Sequence, residues 1–154
     1  MSQLTEATKL VVVGQGYVGL PLAMRAVEVG FDVVGFDVDS GRAKRLAAGD
    51  SFVEDVPDDR LARALESNRY EATSDPDRMA GFDVAVIDVP TPLSDGIPNL
   101  SHVENAARLV ARYLRTGCIV VLESTTYPGT TEELVAPLLE EGSGLTAGSD
   151  FHLG

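Results

Sequence analysis

Three glycines mark the part of this sequence best suited to chemistry. Gly14, Gly16 and Gly19 follow the apolar run 9–13 in the spacing G-x-G-x-x-G. Between a strand and a helix, the first glycine permits a tight turn, the second admits a phosphate close to the backbone, and the third lets the helix pack near the strand. The N-terminus of that helix presents N–H groups and a partial positive charge to an anion. The spacing therefore predicts a pyrophosphate site.

An acidic residue supports this interpretation. Asp37 ends a second apolar run, 31–37, and lies about 20 residues beyond the glycines, where dinucleotide-binding folds place the carboxylate that binds the adenosine ribose. A fixed carboxylate also repels the 2′-phosphate of NADP, although Arg42 would partly offset that repulsion. Together the two motifs predict a site for NAD rather than NADP.

Two further loops carry groups able to contact a ligand. The loop 88–93 follows the apolar run 84–87, and its two prolines make it rigid and extended. The loop 123–131 follows the run 118–122 and brings hydroxyl groups and a carboxylate. Either loop taken alone is equally well explained as a structural turn.

These motifs need a scaffold that brings the ends of separate strands together. The apolar runs are continuous rather than alternating, which is typical of strands buried on both faces of a parallel sheet, and helical patterns separate them. Right-handed crossovers then give a doubly wound, Rossmann-like α/β fold whose ligand lies beyond the carboxyl ends of the strands. After the glycine turn, helices are predicted over 39–49, 57–67, 101–113 and 130–141, the last two opened by capping boxes, and strands over 70–73, 84–89 and 118–124.

The helix after the glycine turn is apolar on nearly all sides. Val18, Leu22, Ala26 and Val29 form one stripe, and further apolar residues occupy much of the opposite side. A helix of this kind is normally covered on both faces. We therefore expect a further domain or a second subunit to cover the outer face. The alternative is that loops of this chain suffice.

Composition limits the size of the fold and the kinds of partner. With 154 residues, of which 44% are hydrophobic, the chain is expected to form one domain. Twelve basic residues against 24 acidic ones give a net charge of −12, which would repel a phosphate backbone. Nucleic acid and anionic membranes are therefore not expected as partners.

The single cysteine and the histidines carry little functional signal. Cys118 has no partner for an internal disulfide and is interpreted as a small buried apolar residue. His102 and His152 stand alone, so no metal site is expected. No apolar run approaches 18 residues, and the first eight residues lack the features of a signal peptide. A cytoplasmic location is expected.

Three motifs taken together resemble those of the nucleotide-sugar 6-dehydrogenases, the UDP-glucose/GDP-mannose dehydrogenase family. They are GQGYVGLPLA at 14–23, VPTPL at 89–93 and ESTTYPGT at 123–130, in the order and spacing of that family. The resemblance extends from about Leu10 to the last residue and is closest to the branch acting on UDP-N-acetyl-hexosamines. Asp88 departs from the pattern, because the family usually has a small or thiol side chain there.

The resemblance implies two Rossmann-like domains joined by a long helix, and a homodimer. It also implies two successive hydride transfers to NAD+, which take the sugar C6 alcohol through an aldehyde to a carboxylate by way of a cysteine thioester. The family's thiol, lysine, asparagine and glutamate lie beyond the residues present. Residues 1–154 are therefore expected to be an NAD-binding domain, incomplete at its C-terminal end, without the sugar-binding and catalytic-cysteine domain and inactive by itself.

The resemblance also assigns roles to individual residues. It places Asp37 at the adenosine ribose and Arg42 beside the adenine. Thr125 would lie near the reacting centre, in contact with the cofactor, and hold a water or substrate oxygen, as the one catalytic candidate. The pyrophosphate would be bound at Gly14, Gly16, Tyr17, Val18 and Gly19, and the cofactor path would be lined by Pro90 and Thr91.

Two other classes of protein share the glycine turn. A regulatory nucleotide-sensing module, such as the ligand-gating domain of an ion transporter, has a similar length and an acid after the second strand. The cofactor domain of a 3-hydroxy acid dehydrogenase would also resemble this chain at the glycines. The regulatory module gives no reason for the Val-Pro-Thr-Pro motif at 89–92 or for the threonines at 125–131, and the second half of a dehydrogenase would decide the other alternative.

Overall fold

A six-stranded parallel sheet organises the computed structural model of the chain, which describes residues 7–154. Within that range the strands are β1 (Lys9–Val13), β2 (Asp32–Phe36), β3 (Tyr70–Thr73), β4 (Val84–Ile87), β5 (Leu93–Ser94), β6 (Ile97–Pro98), β7 (Ile119–Leu122) and β8 (His152–Leu153). The sheet has the order β3-β2-β1-β4-β7-β8, while β5 and β6 pair with each other. This is the strand order of a dinucleotide-binding fold, so the predicted doubly wound sheet is confirmed.

Helices cover both faces of the sheet. They are α1 (Gly19–Glu28), α2 (Ser40–Ala47), α3 (Asp58–Glu66), α4 (Ser101–Ala111) and α5 (Ala136–Ser143). Because side chains alternate along a strand, Leu10 and Val12 of β1 pack with α1, α2 and α3, whereas Val11 and Val13 pack with α4 and α5. The core therefore consists of two apolar layers separated by the sheet.

One side of α1 is covered by this chain itself. Leu20 and Met24 are buried, and they belong to the same cluster as Val53, Val56 and Leu61 from the segment before α3 and from α3. The other stripe of α1 remains partly exposed, with Val18 at 57% and Val29 at 54%, so the expectation of a further domain or a second subunit over the outer face stays a prediction.

The starts of α4 and α5 differ from the predicted capping boxes. The Asn99 side chain, rather than that of Ser101, accepts a hydrogen bond at the start of α4, from the Ser101 N–H at 2.9 Å. The Thr130 hydroxyl donates to the carbonyl of Tyr127 at 2.8 Å, and a π-helical turn, Thr131–Val135, precedes α5. Pro137 has no N–H to continue an α-helical ladder there, which is compatible with the wider turn.

The hairpin β5–β6 and the edge strand β8 were not predicted. The hairpin turns at Asp95 and Gly96, whose φ angles are +54° and +78°, as the tight turn of a two-residue hairpin requires. Residues 1–6, which belong to the stretch considered for a signal peptide, lie outside the described range. Within that range, no helix is both long and apolar enough to span a membrane.

Candidate functional site

The predicted site loops leave the sheet at one edge, the carboxyl ends of its central strands. The Gly14 N–H donates to the Phe36 carbonyl at 2.8 Å, and the Asp88 N–H donates to the Val13 carbonyl at 2.9 Å. These bonds join the ends of β1, β2 and β4. The edge lies where the strand order reverses beside β1, which is the ligand-binding position of such sheets.

The three glycines have different surroundings. Gly14 has φ +101°, and a Cβ there would collide with the Asp88 carbonyl. A Cβ on Gly19 would collide with the Gly14 carbonyl. Apart from Gly16 itself and its two chain neighbours, no atom of the described chain lies within 4 Å of a Cβ built on Gly16. Gly14 and Gly19 are therefore required by packing, while Gly16 faces space that a phosphate can occupy.

The N-terminus of α1 is suited to an anion. Its N-cap residue is Val18, and within the described residues no side chain caps this end and no acidic residue lies in the first turn. Tyr17 and Val18 are exposed at 75% and 57%. The partial positive charge of the helix end is thus left to a ligand, as expected for a pyrophosphate.

Asp37 lies beside the glycine turn and is buried, with 6% of its surface exposed. Its Oδ2 accepts the Gln15 N–H at 3.1 Å, and its Oδ1 accepts the Asp39 N–H at 2.9 Å. Asp39 caps α2 by accepting the N–H groups of Gly41 and Arg42. Asp37 is therefore not needed as the cap of α2, and its oxygens retain acceptor capacity for a ribose diol.

Arg42 lies in the first turn of α2, close to Asp37 in sequence. Its guanidinium is 5.5 Å from the centre of the Phe52 ring, and its Nε is 3.9 Å from Asp39 Oδ2. Arg45 stacks on the same ring at 5.2 Å. Arg42 is thus held on the solvent side of the loop that carries Asp37.

Gln15 was not singled out from the sequence, yet its side chain is fully buried. Its Nε2 donates to the carbonyls of Gly14 and Val12 at 3.0 and 3.2 Å. Its Oε1 accepts the Tyr70 hydroxyl at 2.7 Å. A Cβ on Gly35 would collide with that Oε1. A glycine inside a strand marks a close approach, so Gly35 was the signal available in the sequence.

Side-chain hydroxyls join the loops after β4 and β7. The Ser124 hydroxyl accepts the Val89 N–H at 2.9 Å and donates to the Val89 carbonyl at 2.8 Å. The Thr91 hydroxyl donates to the Thr125 carbonyl at 2.8 Å. The structure therefore brings Thr91 and Thr125 together, leaving Thr125 exposed and Pro90 exposed beside them.

Asp88 occupies the junction between these loops and the glycine turn. Its Oδ2 is buried and has no hydrogen-bond partner among residues 7–154. Burial, and secondarily the charge of Glu123, raise the pKa of the Asp88 carboxyl above its usual range. The residue that departs from the family pattern is therefore a poorly solvated acid at the centre of the site.

Cys118 lies away from this edge, at the start of β7. It is 2% exposed, and its thiol donates to the Phe82 carbonyl at 3.1 Å. Its interpretation as a small buried residue is confirmed. Among the described residues, no three His, Cys, Asp or Glu side chains are grouped so that they could hold a metal ion.

Comparison with known proteins identifies the chain. The sequence model of the UDP-glucose/GDP-mannose dehydrogenase family, NAD binding domain, matches residues 8–154. The chain is 40% identical over 146 residues to a UDP-N-acetyl-D-mannosamine dehydrogenase of Pyrococcus horikoshii, covering 94% of this chain and 35% of that protein. It is 39% identical over 149 residues to a UDP-N-acetyl-D-glucosamine 6-dehydrogenase of Pseudomonas aeruginosa, covering 95% and 34%.

The structural comparison agrees. The solved UDP-D-ManNAc dehydrogenase of Pyrococcus horikoshii superposes with a TM-score of 0.91 at 39% identity, over 95% of this chain and 35% of that one. The chain spans about a third of the length of these relatives. The glycine turn, the acid after β2 and the loop motifs all lie within the matched residues 8–154. The chain belongs to the UDP-glucose/GDP-mannose dehydrogenase family, in which it corresponds to the NAD-binding domain.

Proposed function

We propose that this chain binds the NAD of a nucleotide-sugar 6-dehydrogenase, which oxidises the C6 alcohol of the sugar to a uronic acid in two NAD+-dependent steps. The observation that carries the proposal is the joining of the Asp37 carboxylate to the glycine turn through the Gln15 N–H, next to the open space at Gly16. When bound, NAD+ supplies the acceptor for the hydride that leaves C6. Residues 1–154 form the domain that binds it.

The fit of the site to NAD supports individual roles. The N-terminus of α1 and the open face of Gly16 bind the pyrophosphate. Asp37 accepts hydrogen bonds from the ribose hydroxyls, and Arg42 contacts the adenine side. The Thr91 hydroxyl links the loop after β4 to the loop after β7 through its bond to the Thr125 carbonyl. The pyrophosphate contacts include Gly14, Tyr17, Val18 and Gly19, and the nicotinamide end meets Pro90, Thr91 and Thr125.

The substrate we propose is a UDP-N-acetylhexosamine, because two of the matched relatives are named for such sugars. Thr125 is exposed at the carboxyl edge, where its hydroxyl is able to hold a water or a substrate oxygen. We also propose a homodimeric, cytoplasmic enzyme that does not bind nucleic acid, in keeping with the lone buried cysteine and the net charge of −12.

The test of the NAD site is a pair of substitutions on β2 and the residue after it. Asp37→Ala removes the proposed ribose ligand. Asp32→Ala is the matched control, since Asp32 is exposed at the opposite end of β2 and pairs with Arg69. A hydrogen bond to a charged group contributes about 1.5–3 kcal/mol, so Asp37→Ala is expected to weaken NAD binding about 10-fold to 150-fold.

Calorimetric titration of NAD and NADP into the wild type and both variants gives the result. NADP affinity is expected to stay the same or improve in Asp37→Ala, because the carboxylate no longer repels the 2′-phosphate. An unchanged NAD/NADP preference would remove Asp37 from the site. Equal losses of NAD affinity in Asp32→Ala would show that the effect is not local to the ribose position.

A further inference from the structure

A buried hydrogen-bond chain runs from β3 into the glycine turn. It starts at Tyr70, which is 5% exposed. The Tyr70 hydroxyl donates to Gln15 Oε1 at 2.7 Å. Gln15 Nε2 then donates to the carbonyls of Gly14 and Val12. The side-chain amide of Gln15 therefore uses its two N–H donors and its oxygen. Tyr70 and Gln15 are 55 residues apart in the sequence.

The same residue fixes the carboxylate proposed to bind the ribose. The backbone N–H of Gln15 donates to Asp37 Oδ2 at 3.1 Å. The Gln15 side chain holds the peptides before it, and its own N–H holds Asp37. Gln15 thus contacts the glycine turn through its side-chain amide and Asp37 through its backbone N–H.

The strand β2 is shaped to admit this amide. A Cβ on Gly35 would collide with Gln15 Oε1 and would stand 2.7 Å from the Tyr70 hydroxyl. The backbone of Gly35 does not require glycine for its φ angle, because Gly35 is not among the residues with positive φ. Space for the Gln15–Tyr70 pair is therefore the local reason for a glycine at this point.

We propose that Tyr70 and Gln15 are positioning residues that preorganise the glycine turn and Asp37 for NAD. The proposal rests on the NAD site described above and extends it to a residue on β3. Buried polar groups that lose a partner reorganise at a cost, and a binding site that must reorder before binding loses affinity. Removing the Tyr70 hydroxyl therefore weakens NAD binding without touching the cofactor.

The first experiment compares Tyr70→Phe with Tyr113→Phe. Both substitutions delete one hydroxyl that donates to a side chain at 2.7 Å, but Tyr113 donates to Asp77 and lies outside this hydrogen-bond chain. NAD affinity is measured by calorimetry at 25 °C, with folding checked by circular dichroism. Tyr70→Phe is expected to raise the Kd about threefold to tenfold, the equivalent of one hydrogen bond, while Tyr113→Phe leaves it unchanged.

The second experiment uses rescue. Gly35→Ala is expected to displace the Gln15 side chain, lowering both thermal stability and NAD affinity. Adding Gln15→Ala removes the collision, so the double variant is expected to regain melting temperature over Gly35→Ala alone. Its NAD affinity stays low, because the amide that holds the turn is absent. A purely structural role predicts that affinity recovers together with stability, which would overturn the proposal.

The outcomes separate this proposal from the one it rests on. If the wild type does not bind NAD, the proposed NAD site itself is wrong. If the wild type binds NAD and Asp37→Ala loses it, while Tyr70→Phe changes only the melting temperature, the site stands and the positioning role is overturned.

Discussion

At the scale of single residues, Gly16 and Gly19 are three positions apart and are glycine for opposite reasons. A Cβ at Gly16 has no described atom within 4 Å apart from its chain neighbours, whereas a Cβ at Gly19 collides with the Gly14 carbonyl. We expect Gly16→Val to remain folded, with less than about 1 kcal/mol lost, and to weaken NAD binding by about tenfold or more. Gly19→Val is expected to lose about 1–3 kcal/mol or more in the absence of ligand.

Thermal unfolding with and without NAD distinguishes the two glycine variants. Gly16→Val should unfold near the wild-type temperature and gain little when NAD is added, because a ligand stabilises only in proportion to its occupancy. Gly19→Val should unfold early under both conditions. Equal losses of melting temperature without ligand would contradict this division of roles.

Asp88 yields a prediction about pH. Because the pKa of its carboxyl is raised in the folded chain, the folded state retains a proton that the unfolded state releases above the ordinary value of 3.8. The free energy of unfolding therefore falls as pH rises through that window. Asparagine has no carboxyl group to ionise at this position. Asp88→Asn is therefore expected to be more stable than the wild type at pH 7 by about 1 kcal/mol, a value reduced because Asp88 is only half-buried.

Urea unfolding between pH 4 and 7 measures the difference. Asp95→Asn serves as the control, since Asp95 is exposed in the hairpin turn and its φ of +54° suits asparagine. The stability gap between Asp88→Asn and wild type should widen with pH, by more than the gap between Asp95→Asn and wild type does. A constant gap for Asp88→Asn would mean that its carboxyl titrates at its ordinary value.

How far the site could be predicted depended on whether a residue's role is local. Gly14, Gly19 and the cap at Asp39 follow from backbone geometry within a few residues, and the sequence pattern identifies them. The partner of Gln15 lies on β3, and no pattern within one element states which strand delivers it. Gly35 has no side chain where Gln15 comes close to β2. A glycine inside a strand indicates such a close approach but does not show which residue makes it.

At the scale of elements, the helices α4 and α5 pack closely at one point. A Cβ on Gly142 would stand 2.7 Å from the Ala111 Cβ, so the helices approach more closely there than an alanine pair allows. We expect Gly142→Ala to lower the free energy of unfolding by about 1–3 kcal/mol, because overpacking forces the backbones apart.

The swap of the two residues is the control for this contact. Ala111→Gly combined with Gly142→Ala restores one side chain at the crossing, and it is expected to be more stable than Gly142→Ala alone despite the glycine placed at the end of α4. Denaturant unfolding of the two single variants and the double variant gives the coupling energy. Additive effects would show that the helices do not meet at these residues.

The starts of α4 and α5 show why element boundaries resist prediction. Ser101 and Thr130 each stand three residues before a glutamate, and each resembles a capping box. In both cases a neighbouring loop atom competes successfully, because Asn99 Oδ1 accepts the Ser101 N–H and the Tyr127 carbonyl accepts the Thr130 hydroxyl. The helices themselves were predicted correctly because their apolar faces, rather than their caps, determine where they lie.

At the scale of the whole molecule, the chain corresponds to about a third of each matched relative. We expect it to bind NAD but to oxidise no nucleotide sugar by itself, because Cys118 is buried and remote from the site edge. The check is NADH absorbance after incubation with NAD+ and UDP-, GDP- and dTDP-sugars, with NAD binding confirmed on the same preparation. Sustained turnover would contradict the expectation.

The doubly wound parallel sheet was predictable from the sequence because strands and helices alternate and crossovers have one hand. The short strand β8 was not, because two residues give no periodicity and its pairing with β7 depends on the loop before it. The residues that cover Leu20 and Met24 of α1 were not predictable for a similar reason. Val53 and Val56 lie in a segment without regular structure, where pattern gives no direction for a side chain.

The burial of Cys118 makes this residue a probe of local opening in the folded chain. It is the chain's one thiol, and it lies under the Phe82 carbonyl between neighbouring strands. A disulfide reagent therefore reaches the thiol only when the structure opens locally around it, so the modification rate measures how often this region opens. Bound NAD would lower the rate of Cys118 modification if the openings that expose the thiol also release the cofactor. It would leave that rate unchanged if they do not.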